Sequence, residues 1–315
     1  MINRAPLKIF AGTAHHEFGL EVCRILQTEL GHCTIKRFQD GETYVKYEES
    51  VRGADCYIIQ PTSPPTDTNL MQLLILLDAL RRASAARITP VIPYFGYARQ
   101  EKKELPREPI TAKLVADLIH AAGAQRIITM DLHADAIQGF FNMPVDHLTA
   151  EKLFAEHFAE LADRDIVFVS VDEGRVKKVR KVAGRLNAPI AVGYKHRDGH
   201  DNSEVTHLAG DVRGKIPIIV EDIITTGGSV NQCVDTLLAH GALPEVRVAA
   251  THAVLMPQAK ERLSRPEIAN IVVTNTLPLT PDQTIDKMSV LSVAPLFAEA
   301  IYRAHHDLSI SSLFD

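Results

Sequence analysis

Glu221 and Asp222 stand together at the end of an apolar, β-branched run, and the chain then reads Thr225-Thr226-Gly227-Gly228-Ser229. Hydroxyls and glycines between a buried strand and a helix make an anion cradle, because backbone N–H groups, the helix dipole and side-chain donors converge on one point. Two carboxylates beside such a cradle suit sugar hydroxyls or a metal ion. The plainer alternative is an ordinary strand-to-helix turn. Arg99, Lys102, Lys103 and Arg107 crowd one loop. Arginine forks match phosphate oxygens, although a solvated charge cluster has the same composition. Lys195, His196 and Arg197 precede a stretch rich in Gly, Asp and Asn, the kind of loop that closes over an anionic transition state. His133 and Asp172 each follow a strand-like run, at the strand end where α/β folds bind ligands. One imidazole and one carboxylate suit a Mg2+ held mainly by phosphates and water, and each residue taken singly is as readily structural.

Other chemistries find less support. Neither GxxxxGK[ST] nor GxGxxG occurs, which disfavours ordinary P-loop kinases and Rossmann dehydrogenases. Cys23, Cys33, Cys56 and Cys233 are scattered without zinc spacing and read as free thiols in a reducing cytosol, so a cytoplasmic location is expected. A formal net charge of −5 over 315 residues gives no electrostatic reason to expect nucleic acid or a membrane surface as partner. No apolar run approaches a membrane span, and the N-terminus runs into a strand-like segment without a signal-peptide core.

The elements that must position these groups alternate between strand and helix. In the first half, strands are expected over 7–12, 34–38, 43–47, 55–60, 87–92 and 126–130, with helices over 17–30, 69–83 and 110–122. In the second, strands are expected over 166–170, 190–194, 216–220, 245–251 and 268–274, with helices over 151–162, 175–186, 230–240 and 294–304. A polar loop is read over 195–203, and a boundary near 144–149. This grammar predicts an α/β fold with mainly parallel sheets flanked by helices, in two domains, 1–148 and 149–315. Residues 126–131 and 217–222 both end a buried strand in a carboxylate, a short echo of duplication.

Longer motifs carry a resemblance to a known family. They are Phe38-Gln-Asp-Gly-Glu-Thr43, Glu49-Ser-Val-Arg-Gly-Ala-Asp55, Pro93-Tyr-Phe-Gly-Tyr-Ala-Arg-Gln100, Met130-Asp-Leu-His-Ala134 and Gly210-Asp-Val-Arg-Gly-Lys215. Running nearly end to end, they resemble the ribose-phosphate pyrophosphokinases, or phosphoribosyl pyrophosphate synthetases. The resemblance implies two tandem type I phosphoribosyltransferase-like domains and a Mg2+-dependent transfer of pyrophosphate from ATP to ribose 5-phosphate. By position it implies an ATP site of Phe38, Asp40, Gly41, Glu42, Arg99, Gln100 and His133 in the first domain, which also carries oligomer contacts. It implies catalytic Lys195 and Arg197, and metal-associated His133 and Asp172. Ribose 5-phosphate falls to Glu221, Asp222, Thr225, Thr226, Gly227, Gly228 and Ser229. It also implies a homo-oligomer, dimer-based with the hexamer as one form, because in the family the phenylalanine turn serves a neighbouring subunit.

Departures from the family pattern are equally legible. Thr225 replaces an aspartate of the usual turn, giving a version more like that of orotate phosphoribosyltransferase. Val171-Asp172-Glu173-Gly174-Arg175 stands where Pro-Asp-x-Gly-Gly is usual, so Glu173 and Arg175 are expected to alter how a pyrophosphate loop closes. Two rival readings are a non-catalytic, synthetase-associated regulatory subunit and a transferase that consumes phosphoribosyl pyrophosphate. Retention of Lys195, Arg197, His133 and Asp172 opposes the first, and the ATP-type motifs of the first half oppose the second.

Overall fold

Strands whose central members are buried on both faces form the two larger sheets of a computed structural model that describes residues 5–197 and 203–313. Contacts divide the chain into one unit of residues 1–149, 276–278 and 293–315 and another of 150–275 and 279–292. The first unit contains β1 (Leu7–Ala11), α1 (His16–Ile25), β2 (Cys33–Arg37), β3 (Thr43–Tyr47), β4 (Asp55–Ile59), α2 (Thr66–Arg82), β5 (Arg87–Ile92), α3 (Thr111–Ala122), β6 (Ile127–Met130) and β7 (Val145–Leu148). Its five-stranded sheet runs β1-β4-β5-β6-β7, parallel throughout, while β2 and β3 pair separately as an antiparallel ribbon. β4 is buried at every position, the signature of a strand covered on both faces. Leu70, Leu73, Leu77 and Leu80 line one stripe of α2 and join Phe10, Ile58 and Ile92 in the core.

The second unit contains α4 (Glu151–Phe158), β8 (Ile166–Ser170), α5 (Val176–Arg185), β9 (Ile190–Arg197), β10 (Ser203–Ala209), β11 (Ile216–Ile224), α6 (Gly228–Ala239), β12 (Val246–Ala253), α7 (Pro257–Leu263), β13 (Ile268–Thr274) and β14 (Met288–Leu291). Its sheet is ordered β10-β9-β8-β11-β12-β13-β14, and only the edge pair β9–β10 is antiparallel. The last helix, α8 (Ala294–His305), belongs with the first unit, where Phe297 meets Phe18 of α1 edge to face at 5.5 Å. A division at 148/149 would have left that helix with the second half.

Several expected boundaries move, each for a physical reason. α1 stops at Ile25 rather than 30, because Gln27 turns left-handed (φ 54°) and Leu30 bridges to Ile9 of β1. The expected boundary near 144–149 contains a strand, β7, whose Asp146 is held by Arg126 at 2.7 and 2.9 Å. β9 continues past 194 to Arg197, β10 occupies the far side of the expected loop, and β14 and α7 were not foreseen. Short edge strands carry polar side chains that guard against edge pairing, and this weakens their alternation in sequence.

Candidate functional site

The site of the second unit is built on β11. This strand was expected to stop at Val220, but it runs on through Glu221 and Asp222 to Ile224, with Glu221 opposite Ala250 and Ile224 opposite Ala253 of β12. Two adjacent carboxylates can stay in a buried strand because a cation meets them. Arg175, at the junction of a short 3-10 turn and α5, places Nε 3.0 Å from Glu221 Oε2 and Nη2 2.8 Å from Asp222 Oδ1. All three residues are buried. Burial works against the guanidinium charge, but Asp222, Glu221 and Asp172 outweigh it and hold the Arg175 pKa above the usual arginine value.

Beyond β11 the chain turns sharply. Gly227 adopts φ +71° and caps α6, which opens at Gly228. Thr226 Oγ1 accepts the Gly228 N–H at 3.4 Å, and the Thr225 carbonyl accepts the Met256 N–H at 2.8 Å. Arg262 of α7 donates to the Thr226 carbonyl at 3.1 Å and so brings a guanidinium beside the turn. The opening amides of a helix point outward along its axis with the positive end of its dipole. With two threonines and a neighbouring arginine, the turn has the donors an anion requires.

In the first unit, Phe38, Asp40, Gly41 and Glu42 form the tip of the β2–β3 ribbon. The Phe38 N–H reaches the Glu42 carbonyl at 2.8 Å, and the Gly41 N–H reaches the Phe38 carbonyl at 3.0 Å. Gly41 takes φ +95°, and Asp40 Oδ1 accepts the Glu42 N–H at 3.1 Å. Phe38 is 53% exposed, an aromatic face turned to solvent. Arg99 and Gln100 lie exposed after a turn in which Tyr97 is left-handed (φ 65°), and Gln100 Oε1 accepts the Thr111 hydroxyl at 2.6 Å. His133 follows β6, after a buried Asp131 that accepts the Thr149 hydroxyl at 3.1 Å and takes φ 39°. The Leu132 N–H donates to His147 Nε2 at 2.9 Å, which fixes the loop leading to His133.

Asp172, half-buried, follows β8 in the second unit, and its carbonyl accepts the Ser170 hydroxyl at 2.7 Å. The β9 backbone carries Lys195 opposite Val205 and Arg197 opposite Ser203 of β10. The side chains of Lys195 and Arg197, and residues 198–202 of the expected loop, lie outside the described residues. Among the described residues no group of three or more His, Cys, Asp or Glu forms a cage for a metal, and no helix is long and apolar enough to cross a membrane.

The family model for the N-terminal domain of ribose phosphate pyrophosphokinase matches residues 7–123, and that for the phosphoribosyl synthetase-associated domain matches 198–315. The ribose-phosphate pyrophosphokinase of Caldanaerobacter subterraneus subsp. tengcongensis is 50% identical over 98% of both chains. The chain belongs to the ribose-phosphate pyrophosphokinase family. The pyrophosphokinase of Bacillus subtilis (strain 168) is 47% identical over 98% of this chain and 97% of its own. The crystal structure of phosphoribosylpyrophosphate synthetase from Mycobacterium smegmatis superposes with a TM-score of 0.91 at 43% identity, covering 96% of this chain and 99% of that one. The expected α/β fold with mainly parallel sheets flanked by helices holds, and the chain is an enzyme of this family.

Against that family background, two residues beside the cradle escaped sequence reasoning. Arg175 was visible only as a departure from a motif, since nothing in its neighbourhood says that it reaches β11. Arg262 had no signal beyond a short basic stretch following Pro257, the N1 proline of α7.

Proposed function

We propose that this pyrophosphokinase transfers the pyrophosphoryl group of ATP to the anomeric hydroxyl of ribose 5-phosphate, giving phosphoribosyl pyrophosphate and AMP. The observation that carries the reading is the turn over 225–229, which opens α6 directly after two buried carboxylates on β11. It suits a phosphate with sugar hydroxyls beside it. Thr225, Thr226, Gly227, Gly228 and Ser229 take the 5-phosphate, and Glu221 and Asp222 accept from the ribose hydroxyls. The first unit binds ATP: Phe38 offers its face to adenine, Asp40 and Glu42 accept from the nucleoside, and Arg99 and Gln100 hold phosphate.

In the reaction the anomeric hydroxyl loses its proton to solvent as its oxygen bonds to the β-phosphorus, the bond from that phosphorus to the α-phosphate bridging oxygen breaks, and AMP leaves with the electron pair. Lys195 and Arg197 stabilise charge on the transferring group and the leaving phosphate. His133 and Asp172 are each proposed as metal-associated positions, and a Mg2+ held mainly by phosphate oxygens and water would supply charge neutralisation on the phosphates. We further propose a cytoplasmic homo-oligomer, dimer-based with the hexamer as one form, in which the exposed Phe38 tip serves a neighbouring subunit.

The purified protein, given Mg2+, ATP and ribose 5-phosphate, is expected to release AMP and phosphoribosyl pyrophosphate in equal amounts. No AMP at any phosphate concentration refutes the assignment. The match of residues 198–315 to a synthetase-associated domain keeps a regulatory subunit as the second reading. A protein inactive alone that changes the rate of an active synthetase would establish it.

A further inference from the structure

Arg175 pairs with Glu221 and Asp222, the two carboxylates that the proposed function gives to the ribose hydroxyls. Its Nε and Nη2 lie 3.0 and 2.8 Å from Glu221 Oε2 and Asp222 Oδ1, and the three side chains are 10%, 7% and 3% exposed. One carboxylate oxygen of each acid therefore already lies at ion-pair distance from the guanidinium, in a setting where water competes little. A buried cation between two buried anions offsets part of their charge, so a ligand that meets the same carboxylate oxygens competes with it.

The backbone turn that carries this guanidinium is short. Arg175 closes the 3-10 turn Glu173–Arg175, and Glu173 and Gly174 beside it are exposed. Rearranging that turn would leave the ladder between β8 and β11 intact, since their paired residues run only from Ile166 to Val169 and from Ile216 to Ile219.

We propose that Arg175 is a built-in competitor for the sugar hydroxyls, so that ribose 5-phosphate binds only as the guanidinium leaves Glu221 and Asp222. This rests on the assignment of ribose 5-phosphate to the β11–α6 site. Arg175 is then the residue that sets acceptor affinity. A ligand that offers phosphate alone uses the turn over 225–229 without disturbing the pair. A sugar phosphate has to replace two ion-pair contacts with hydrogen bonds from neutral hydroxyls.

The test is calorimetric binding to the full-length protein without ATP, with ribose 5-phosphate and inorganic phosphate as separate probes. Arg175→Met keeps the side-chain volume and removes the charge. It is expected to bind ribose 5-phosphate about tenfold more tightly, the scale of one hydrogen bond to a charged group, and inorganic phosphate as the wild type does. If Arg175→Met does not fold, Arg175→Lys serves instead. One ammonium bridges two carboxylates less well than a planar fork, so a smaller tightening in the same direction is expected. Sugar-phosphate binding that is unchanged or weakened, in a wild type that binds it measurably, overturns the competitor role and leaves the ligand assignment standing. A wild type and variants that all fail to bind ribose 5-phosphate remove the ligand assignment, and this proposal with it.

Discussion

At Gly227 the backbone takes φ +71°, and an added Cβ would lie 3.3 Å from Leu263 Cγ. An L-residue in that left-handed region costs roughly 1–2 kcal/mol. Gly227→Ala should therefore lower stability by about that amount in urea melts and weaken phosphate binding, because the start of α6 has to shift. Gly228→Ala has an ordinary φ and meets Arg262 Nη1 only at 3.4 Å, so it is the control for the stability loss alone. A residue on β9 carries the catalytic prediction. Lys195→Ala is expected to cut turnover by about 10³-fold or more while melting like the wild type, because its proposed role lies in the transition state. Single-turnover rates check this, and unchanged turnover removes the role. The buried thiols give a pH prediction. Burial raises Cys23 from 9.0 to about 11 and Cys56 from 9.0 to about 12. The thiolate is the reactive form, so at pH 8 both should label about a hundred- to a thousandfold more slowly than an ordinary thiol, the rate still climbing with pH well beyond 9. Peptide mapping after timed alkylation of the native protein measures this.

At the scale of elements, what was legible in sequence depended on whether a segment's neighbours are local. β8, the 56–59 part of β4 and the first part of β11 are continuous apolar runs whose burial on both faces can be read directly. The turn over 225–229 was legible for the same reason, since strand, glycines and helix are contiguous. The end of β11 was not, because the charge of Glu221 and Asp222 argues for an exposed strand end until Arg175 is known to meet them. α7 was missed because seven residues, Pro257–Leu263, give too short a periodic pattern to stand out. Yet this element brings Arg262 to the Thr226 carbonyl at 3.1 Å. Arg262→Ala is expected to leave the melting temperature nearly unchanged, since the side chain is exposed, and to weaken inorganic phosphate binding about tenfold, as the loss of one charge-assisted donor would. Equal phosphate affinity in wild type and variant would show that the guanidinium supports only the turn.

Over the whole chain, the feature that local reading could not reach is the return of the C-terminal residues to the first unit. Its anchor is Asp55, the last residue of the Glu49–Asp55 motif and fully buried at the head of β4. Arg87 of β5 approaches its Oδ2 at 2.5 Å, His305 Nδ1 at 2.7 Å, and the Tyr57 hydroxyl at 3.3 Å. Arg87 also donates to Asp307 at 2.8 Å and to the His305 carbonyl at 3.2 Å, so one carboxylate organises two sheet strands and the end of α8. His305 lies 250 positions from Asp55, and no pattern within a window of sequence joins them. The motif is thus explained by architecture, whereas position in the sequence alone could have suggested a substrate contact. Asp55→Ala leaves a buried His305 and a part-exposed Arg87 without their shared anion, and because solvent and Asp307 screen Arg87 the cost should fall below the ~3–5 kcal/mol of a fully buried broken pair. Denaturant melts should show that loss, and hydrogen exchange should rise across 294–305 and the residues of α1 that face it. His305→Ala removes one arm and keeps the Asp55–Arg87 pair, so its effect should be smaller but fall on the same peptides. Exchange that rises evenly over the chain in both variants would mean that Asp55 stabilises the fold generally and does not fasten the C-terminal helix.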